Sequence, residues 1–415
     1  MKTPSRLQFW IENRTGCTDQ ASLTQWQIKK IRQTLAYAKE NSRFYREHLK
    51  DIDPDTITSL RDLDVIPLTD PQLLRSAPQD WLCCSQTEVS RIVTLKTSGT
   101  TAQPKRIFFS QEDQEQTIDF FAQGMRELVN SGDRVMVLMP CTQPGSVGDL
   151  LAKGLERIGV SVLPAGPVSH IQSTYDLLRN DPCQCIVGIP NQVLALAQYG
   201  VLLPKEERIP IKNVLLSADA TPPALIKKIS DLMDCQVFTH FGMTEMGLAG
   251  AVECSAHQGC HIRENHLFVE VVDPDTGAPL PDGTPGEFVF TSLDRRAMPF
   301  IRYRTGDRGV LLAQPCPCGS YIRRMLPLGG RLTPAPLSLW ALDEILIPLP
   351  YVVDYTLTYQ EGSFHLELLG LLPSDPEEAK ARLSREIFPY PFTVSSRVIS
   401  GFTGTGMQKR SIHYP

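Results

Sequence analysis

Between Arg134 and Phe238 five short apolar runs, VMVLM, VSVL, CIVGI, NVLLS and QVFTH, recur with helix-like segments of crossover length between them. A strand covered on both faces reads as an unbroken apolar run, and two parallel neighbours need a long crossover to join them. The alternation therefore constrains the chain to an α/β fold with a parallel sheet and right-handed connections.

The chain has 415 residues, more than one hydrophobic core usually serves, so a large domain plus a smaller one is expected. After Gly247 the pattern becomes β-rich, with LFVEVVD and GEFVFTS set off by the turn signals DPDTG and PDGTPG. From about Leu332 it reads helix (Leu339 to Ile345), strand (VVDYTLTY), strand (FHLELLG), helix (Pro373 to Ile387) and strand (TVSSRVIS). The expected architecture is a large N-terminal domain, residues 1–331, of parallel α/β sheet plus a β-rich subdomain. A small ferredoxin-like α+β C-terminal lid domain, residues 332–415, follows it. Near the N-terminus, Ile28, Ile31, Leu35 and Ala38 predict a helix from Leu23 to His48, and Thr221 before Pro222 and Pro223 predicts another helix start.

Composition excludes several function classes. Lys plus Arg number 41 against 46 for Asp plus Glu, a net charge of −5, which gives no electrostatic reason to expect nucleic acid or an acidic membrane as partner. No stretch approaches the roughly 20 apolar residues of a membrane span, and MKTPSRLQFW lacks the apolar core of a signal peptide, so a cytoplasmic location is expected. Eleven cysteines without secretory features point to thiols and metal ligands, with Cys83, Cys84, Cys141 and Cys235 as small buried hydrophobes.

The chemistry concentrates in four stretches. In LKTSGTTAQPKRIFFS, Thr97, Ser98, Thr100 and Thr101 surround Gly99 and precede Lys105, a set that can wrap a polyphosphate with hydroxyls and backbone N–H groups. Alone, such a cluster is most often a turn. Phe241, Gly242, Thr244 and Glu245 then follow a strand end, where ligands of open α/β sheets sit. Asp307 in YRTGD offers a carboxylate suited to a ribose diol, and Arg331 in GGR lies at the expected domain junction. Together they describe an ATP site.

The order TSGTTAQPK, FGMTE, YRTGD, GGR resembles the AMP-forming acyl and aryl adenylating enzymes, and within them the phenylacetate–CoA ligase branch. TLAYAKENSRFYREHL, SLRDLDVIPLTD and EVVDPDTGAPLPDGTPGEFVFTSLDRRAMPFIRYRTGD look like that branch as well, so the resemblance covers nearly the whole chain. It implies activation of a carboxylic acid by ATP to an acyl-adenylate with loss of pyrophosphate, then capture by coenzyme A. Residues Thr97 to Lys105 would cradle the phosphates, Glu245 would hold Mg²⁺, Phe241 would stack on adenine, and Ser217, Ala218 and Asp219 would lie at its edge. Asp307 would bind the ribose and Arg331 would mark the hinge. Thr100, Glu245, Arg331 and Lys409 are the candidate catalytic residues. A carrier protein and a second copy of the chain, as a homodimer, are the candidate protein partners.

Cys254, His261, Cys316 and Cys318 offer three thiolates and an imidazole, a set suited to tetrahedral Zn²⁺. His257 and Cys260 compete for two of those places. Members of the resembled branch can carry a structural zinc at matching positions.

The departures from the family pattern bear on what the enzyme makes. Ala102 stands where glycine is common, and LTPAPLSLW, with Pro334 and Pro336, follows Arg331 in place of an acidic, glycine-containing loop. Where the family has an essential lysine near the C-terminus this chain has Met407, with Lys409 two residues on. In an extended segment those positions share a face about 6.6 Å apart, within the compass of a lysine stem. Cys141-Thr-Gln-Pro-Gly-Ser146 occupies the expected acyl pocket, and an aryl acid is the expected substrate. The alternatives are an adenylating enzyme that serves a carrier thiol, an amine or a reductase without CoA, and a silent nucleotide-binding paralogue.

Overall fold

A computed structural model of the chain describes residues 4–95, 104–332, 338–385, 391–402 and 412–413. Thr97, Ser98, Gly99, Thr100, Thr101, Ala102, Pro334, Pro336, Met407 and Lys409 lie outside the described residues. The chain forms two compact units, Met1–Glu127 with His240–Thr333, and Leu128–Thr239 with Pro334–Pro415. Among the described residues no helix is long and apolar enough to cross a membrane.

In the second unit the five apolar runs are parallel strands, in the spatial order Ser161–Pro164, Arg134–Val137, Cys185–Gly188, Asn213–Leu216, Gln236–Phe241. The first strand in sequence lies between the second and third, so the winding direction reverses there. The loop Cys141 to Ser146 leaves the sheet just beyond that strand, at the place where open α/β sheets bind ligands. Met136, Ile186, Val214 and Leu216 on the strands pack with Leu194, Leu225 and Ile229 on the crossover helices.

The 338–413 segment of the same unit forms a small mixed sheet in the order Phe392–Val398, Ser363–Gly370, Val352–Gln360, Ile412–His413, with helices Leu339–Leu346 and Pro376–Arg385. Leu346, Val353 and Leu366 enter the same apolar core as Leu194 and Leu225. Polar anchors accompany it: Asn191 donates to Asp354 at 2.6 Å and Gln198 to the Val352 carbonyl at 3.0 Å. Lys228 donates to the carbonyls of Ile347, Leu349 and Val352 at 2.6, 2.7 and 2.9 Å. Burial of this lysine lowers its pKa to about 8.

The first unit holds an antiparallel series, in the order Leu267–Val272, Gly286–Ser292, Tyr303–Leu311, Arg324–Arg331, Cys260–Ile262, Ala251–Glu253. The hairpin Val89–Leu95 with Lys105–Ser110 flanks the Thr97 to Thr101 segment. DPDTG forms a turn because the Asp273 carboxylate accepts from the Asp275 and Thr276 amides, with Gly277 at φ 73°.

Several helix boundaries differ from the sequence reading; the helix expected from Pro373, for one, begins at Pro376. The helix expected from Leu23 to His48 is two, Gln20–Asn41 and Arg43–His48, because Ser42 turns extended and its hydroxyl accepts from the Tyr45 amide to cap the second. The cap at Pro223–Met233 is Pro222, not Thr221. A residue before proline is pushed out of the helical region, so Pro222 stays extended at ψ 151° and the helix begins one residue later.

Replacing Lys228 by methionine removes the side-chain donor to the buried Ile347 and Leu349 carbonyls, each costing about 1–3 kcal/mol when unsatisfied, while Gln198 still donates to that of Val352. Lys228→Met is expected to lower stability by at least about 2 kcal/mol by urea unfolding, whereas Lys227→Met, at an exposed ion pair with Asp231, should change it by less than about 0.5 kcal/mol.

Candidate active site and metal centre

The turn that carries Glu245 is built by close packing. Phe241 ends its strand, and Gly242 passes so near the Leu248 carbonyl that a Cβ there would collide with backbone. Thr244–Met246 then forms a short 3₁₀ turn closed by Gly247 at φ 75°. This folds the chain back so that the Gly250 amide donates to the Phe241 carbonyl at 2.8 Å.

Glu245 is thereby aimed inward, with its side chain only 3% exposed. Lys105 Nζ donates to Glu245 Oε1 at 2.9 Å and to Tyr303 Oη at 2.9 Å, and the Tyr303 hydroxyl donates to the same Oε1 at 3.0 Å. Burial pushes the Glu245 carboxyl up, but the Lys105 charge and its hydrogen bond outweigh that and hold it below the usual carboxylate range. Beneath the turn, Arg295 Nη1 donates to the Glu245 carbonyl and Arg263 Nη2 to that of Met246.

The ribose and hinge candidates are neighbours. Asp307 pairs in register with Arg331 on the adjacent strand, and Arg331 Nε lies 3.5 Å from Asp307 Oδ1. Tyr303 and Asp307 lie on the same strand, which bulges between them at Gly306, φ 72°. The Phe241 ring meets Phe288 edge-on at 5.4 Å, and Phe288 in turn packs over Gly309 of the Asp307 strand. Ser217, Ala218 and Asp219 follow the strand Asn213–Leu216 of the second unit, with Ala218 in the left-handed region at φ 74°. Tyr303, Arg263 and Arg295 are the members that sequence reasoning missed. Tyr303 opens the YRTGD motif that carries Asp307 and could have been found there; no sequence signal marked the two arginines.

The second cluster gathers Cys254, His261, Cys316 and Cys318, all buried, with ligand atoms within 4.8 Å of one another. His257 instead faces Glu253 at 3.6 Å, and Cys260 packs in the apolar core. Cys254 Sγ lies 3.7 Å from Cys316 Sγ, and Cys318 Sγ lies 3.5 Å from His261 Nε2. Tetrahedral zinc with ordinary Zn–S and Zn–N lengths requires S···S of about 3.8 Å and S···N of about 3.5 Å. His261 Nδ1 is 3.0 Å from the Ile322 carbonyl, which leaves Nε2 to face the thiols. Burial raises the Cys318 thiol, while His261, the Ser320 amide and Cys316 outweigh that and bring it to about 6. The donor set and its spacing fit Zn²⁺.

Removing one partner of the buried pair leaves an uncompensated charge, so Lys105→Met is expected to destabilise the protein by about 3–5 kcal/mol. Because the folded carboxyl is depressed, its stabilisation is present above the unfolded value of about 4.3 and is lost as pH falls through the lower folded value. Denaturation series between pH 5 and 3 should show a shallower pH slope in Glu245→Gln than in the parent.

The family described as AMP-binding enzyme matches residues 77–293. A phenylacetate–coenzyme A ligase of Thermus thermophilus is 31% identical, over 84% of this chain and 81% of its own. One from Escherichia coli is 30% identical, over 74% and 70%. Among solved structures, a 2-hydroxyisobutyryl-CoA ligase in the postadenylation state superposes with a TM-score of 0.79 at 19% identity, covering 95% of this chain and 90% of that one, a likeness of fold. The chain belongs to the AMP-binding enzyme family, in the company of the phenylacetate–coenzyme A ligases.

Proposed function

We propose that this protein activates a small carboxylic acid, aryl in class, with ATP and passes the acyl group to coenzyme A. In the first step a carboxylate oxygen bonds to the α-phosphorus and the bond to the β-phosphate breaks, releasing pyrophosphate. In the second, the coenzyme A thiol loses its proton and bonds to the acyl carbon as AMP leaves. The observation that carries the reading is the buried Lys105–Glu245–Tyr303 contact beside the Asp307–Arg331 strand pair, within a chain of this family.

Catalysis of such a transfer is mainly alignment and charge neutralisation. Lys105 rests on Glu245 and exchanges that carboxylate for the phosphate chain when nucleotide arrives; Glu245 would hold Mg²⁺, which would supply charge neutralisation at the phosphates. Thr97 to Thr101, with Thr100 foremost, cradle the β and γ phosphates. Phe241 stacks on adenine, the Ser217 to Asp219 turn serves its edge, Asp307 takes the ribose hydroxyls and Arg331 the ribose or phosphate. Lys409 takes the place of the family lysine in neutralising the reacting oxygens. Residues 332–415 act as the lid and 1–331 as the body, and the site of action is the cytoplasm. Zn²⁺ on Cys254, His261, Cys316 and Cys318 is structural, since four protein ligands leave no open position.

A second reading, an acceptor other than coenzyme A such as a carrier-protein thiol, is favoured by Met407 at the family lysine position. Acid-dependent ATP–pyrophosphate exchange, screened over phenylacetate and related aryl acids, is the test. Exchange with consumption of coenzyme A is expected; exchange without it selects the second reading, and no exchange with any acid refutes both. Lys409→Ala should slow exchange about 100-fold or more, the loss of one electrostatic donor. Metal analysis should find one zinc per chain, and Cys254→Ser should release it with a fall in melting temperature but retained exchange at low temperature.

A further inference from the structure

Arg302, the residue before Tyr303, holds a backbone conformation that arginine rarely adopts, with φ at 42°. Such a residue persists only where its surroundings over-determine it, and these positions cluster at functional sites. Here the surroundings are a buried lock. The Arg302 side chain, 3% exposed, donates through Nε and Nη2 to the Glu270 carboxylate at 2.7 and 3.2 Å, and through Nη1 to the Ile66 carbonyl at 2.7 Å. Its amide donates to the Thr291 hydroxyl at 3.0 Å.

Two further residues grip the main chain around it. The Thr69 amide donates to the Arg302 carbonyl at 2.9 Å, the Arg304 amide to the Thr69 carbonyl at 3.1 Å, and the Thr69 hydroxyl to the Ile301 carbonyl at 2.6 Å. The Tyr45 hydroxyl accepts from the Ile301 amide at 3.2 Å and donates to the Pro299 carbonyl at 3.0 Å. Between these bonds sits Tyr303, fully buried, its ring packed edge-on against Phe290 and Phe300 at 5.6 and 4.9 Å.

The Tyr303 hydroxyl accepts from Lys105 at 2.9 Å and donates to Glu245 Oε1 at 3.0 Å. Lys105 donates to the same Oε1 at 2.9 Å, so Oε2 has no donor among the described residues. A carboxylate anchored through one oxygen and open at the other fits Mg²⁺, which is usually bound by one or two carboxylates together with substrate phosphates. We propose that Tyr303 is the positioning residue of Glu245, holding Oε1 in place once Lys105 has turned to the nucleotide phosphates, and that Thr69 and Arg302 set its aim. The inference rests on the adenylating function proposed above. Lys105 is the exchangeable partner, because its charge can follow the phosphates. Tyr303 is the fixed one, because its ring is packed and its backbone locked.

The test is Mn²⁺ binding in the presence of the α,β-methylene analogue of ATP, which cannot release pyrophosphate. Relaxation enhancement of water protons separates Mn²⁺ on the protein complex from Mn²⁺ on free nucleotide. Tyr303→Phe, which removes one oxygen and keeps the ring, is expected to weaken Mn²⁺ binding roughly 10–100-fold, the usual effect of losing a partner of a metal ligand, and to add no loss in a Glu245→Gln background. Thr69→Val should weaken it by a smaller factor, and Thr69→Ser, which keeps the hydroxyl, should bind as the parent does. Parental affinity in Tyr303→Phe, or in Thr69→Val should Tyr303→Phe not fold, would overturn the proposal, as would an equal loss in the Glu245→Gln background. Because the analogue does not react, the outcome is separate from that of the function: acid-dependent exchange by the unaltered protein with parental Mn²⁺ affinity in Tyr303→Phe removes only the role of Tyr303, whereas weakened Mn²⁺ binding without exchange by the unaltered protein removes only the acid-activating reading.

Discussion

A carboxylate buried to 3% exposure is the constraint on which the rest of the first unit depends. An unpaired carboxylate in that position would neutralise or pull the turn into solvent. Lys105 and Tyr303 prevent this from two strands, 140 and 58 residues away along the chain. The strand after the hydroxyl-rich segment, the Glu245 turn and the Asp307 strand are thus held at one point by a single oxygen. Arg263 and Arg295 hold the backbone of the same turn from beneath. A nucleotide site assembled from distant segments requires such a fixed point, because reacting groups misplaced by an ångström lose most of the benefit of alignment.

The thiol–imidazole cluster lies further along the antiparallel series. Cys254 and His261 flank the loop between two short strands, and Cys316 and Cys318 lie in the loop between the strands Tyr303–Leu311 and Arg324–Arg331. Strands of three residues have few ladder bonds with which to set their register. A four-coordinate ion held there would tie them to the strand that carries Arg331.

Much of this was legible in the sequence because it rests on local pattern. The parallel strands announced themselves, since a strand covered on both faces can hold only apolar residues. Glu245, Asp307 and Arg331 sit in short motifs with glycines whose backbone geometry the turns need, and Cys254, His261, Cys316 and Cys318 were named with His257 and Cys260 as competitors of the same donor chemistry, which only the folded positions separate. What stayed hidden depends on contacts remote in sequence. Arg263 and Arg295 belong to a residue type that is nearly always exposed, and nothing beside them in the chain says that they are buried. The break at Ser42 was invisible to helical periodicity, because Ile31, Leu35, Ala38 and Tyr45 keep an apolar face across it. Lys228 reads as one of two adjacent lysines on an amphipathic helix, and only the packing of residues 347 to 352 distinguishes it from Lys227.

The central claim is that the acid's own oxygen attacks the α-phosphorus. Labelling answers it directly: the acid carrying ¹⁸O in its carboxylate is incubated with magnesium ATP and coenzyme A, and the nucleotide product is weighed by mass spectrometry. The account predicts AMP bearing one ¹⁸O and an acyl product that has lost one. ADP as the product, or AMP without label, would contradict it.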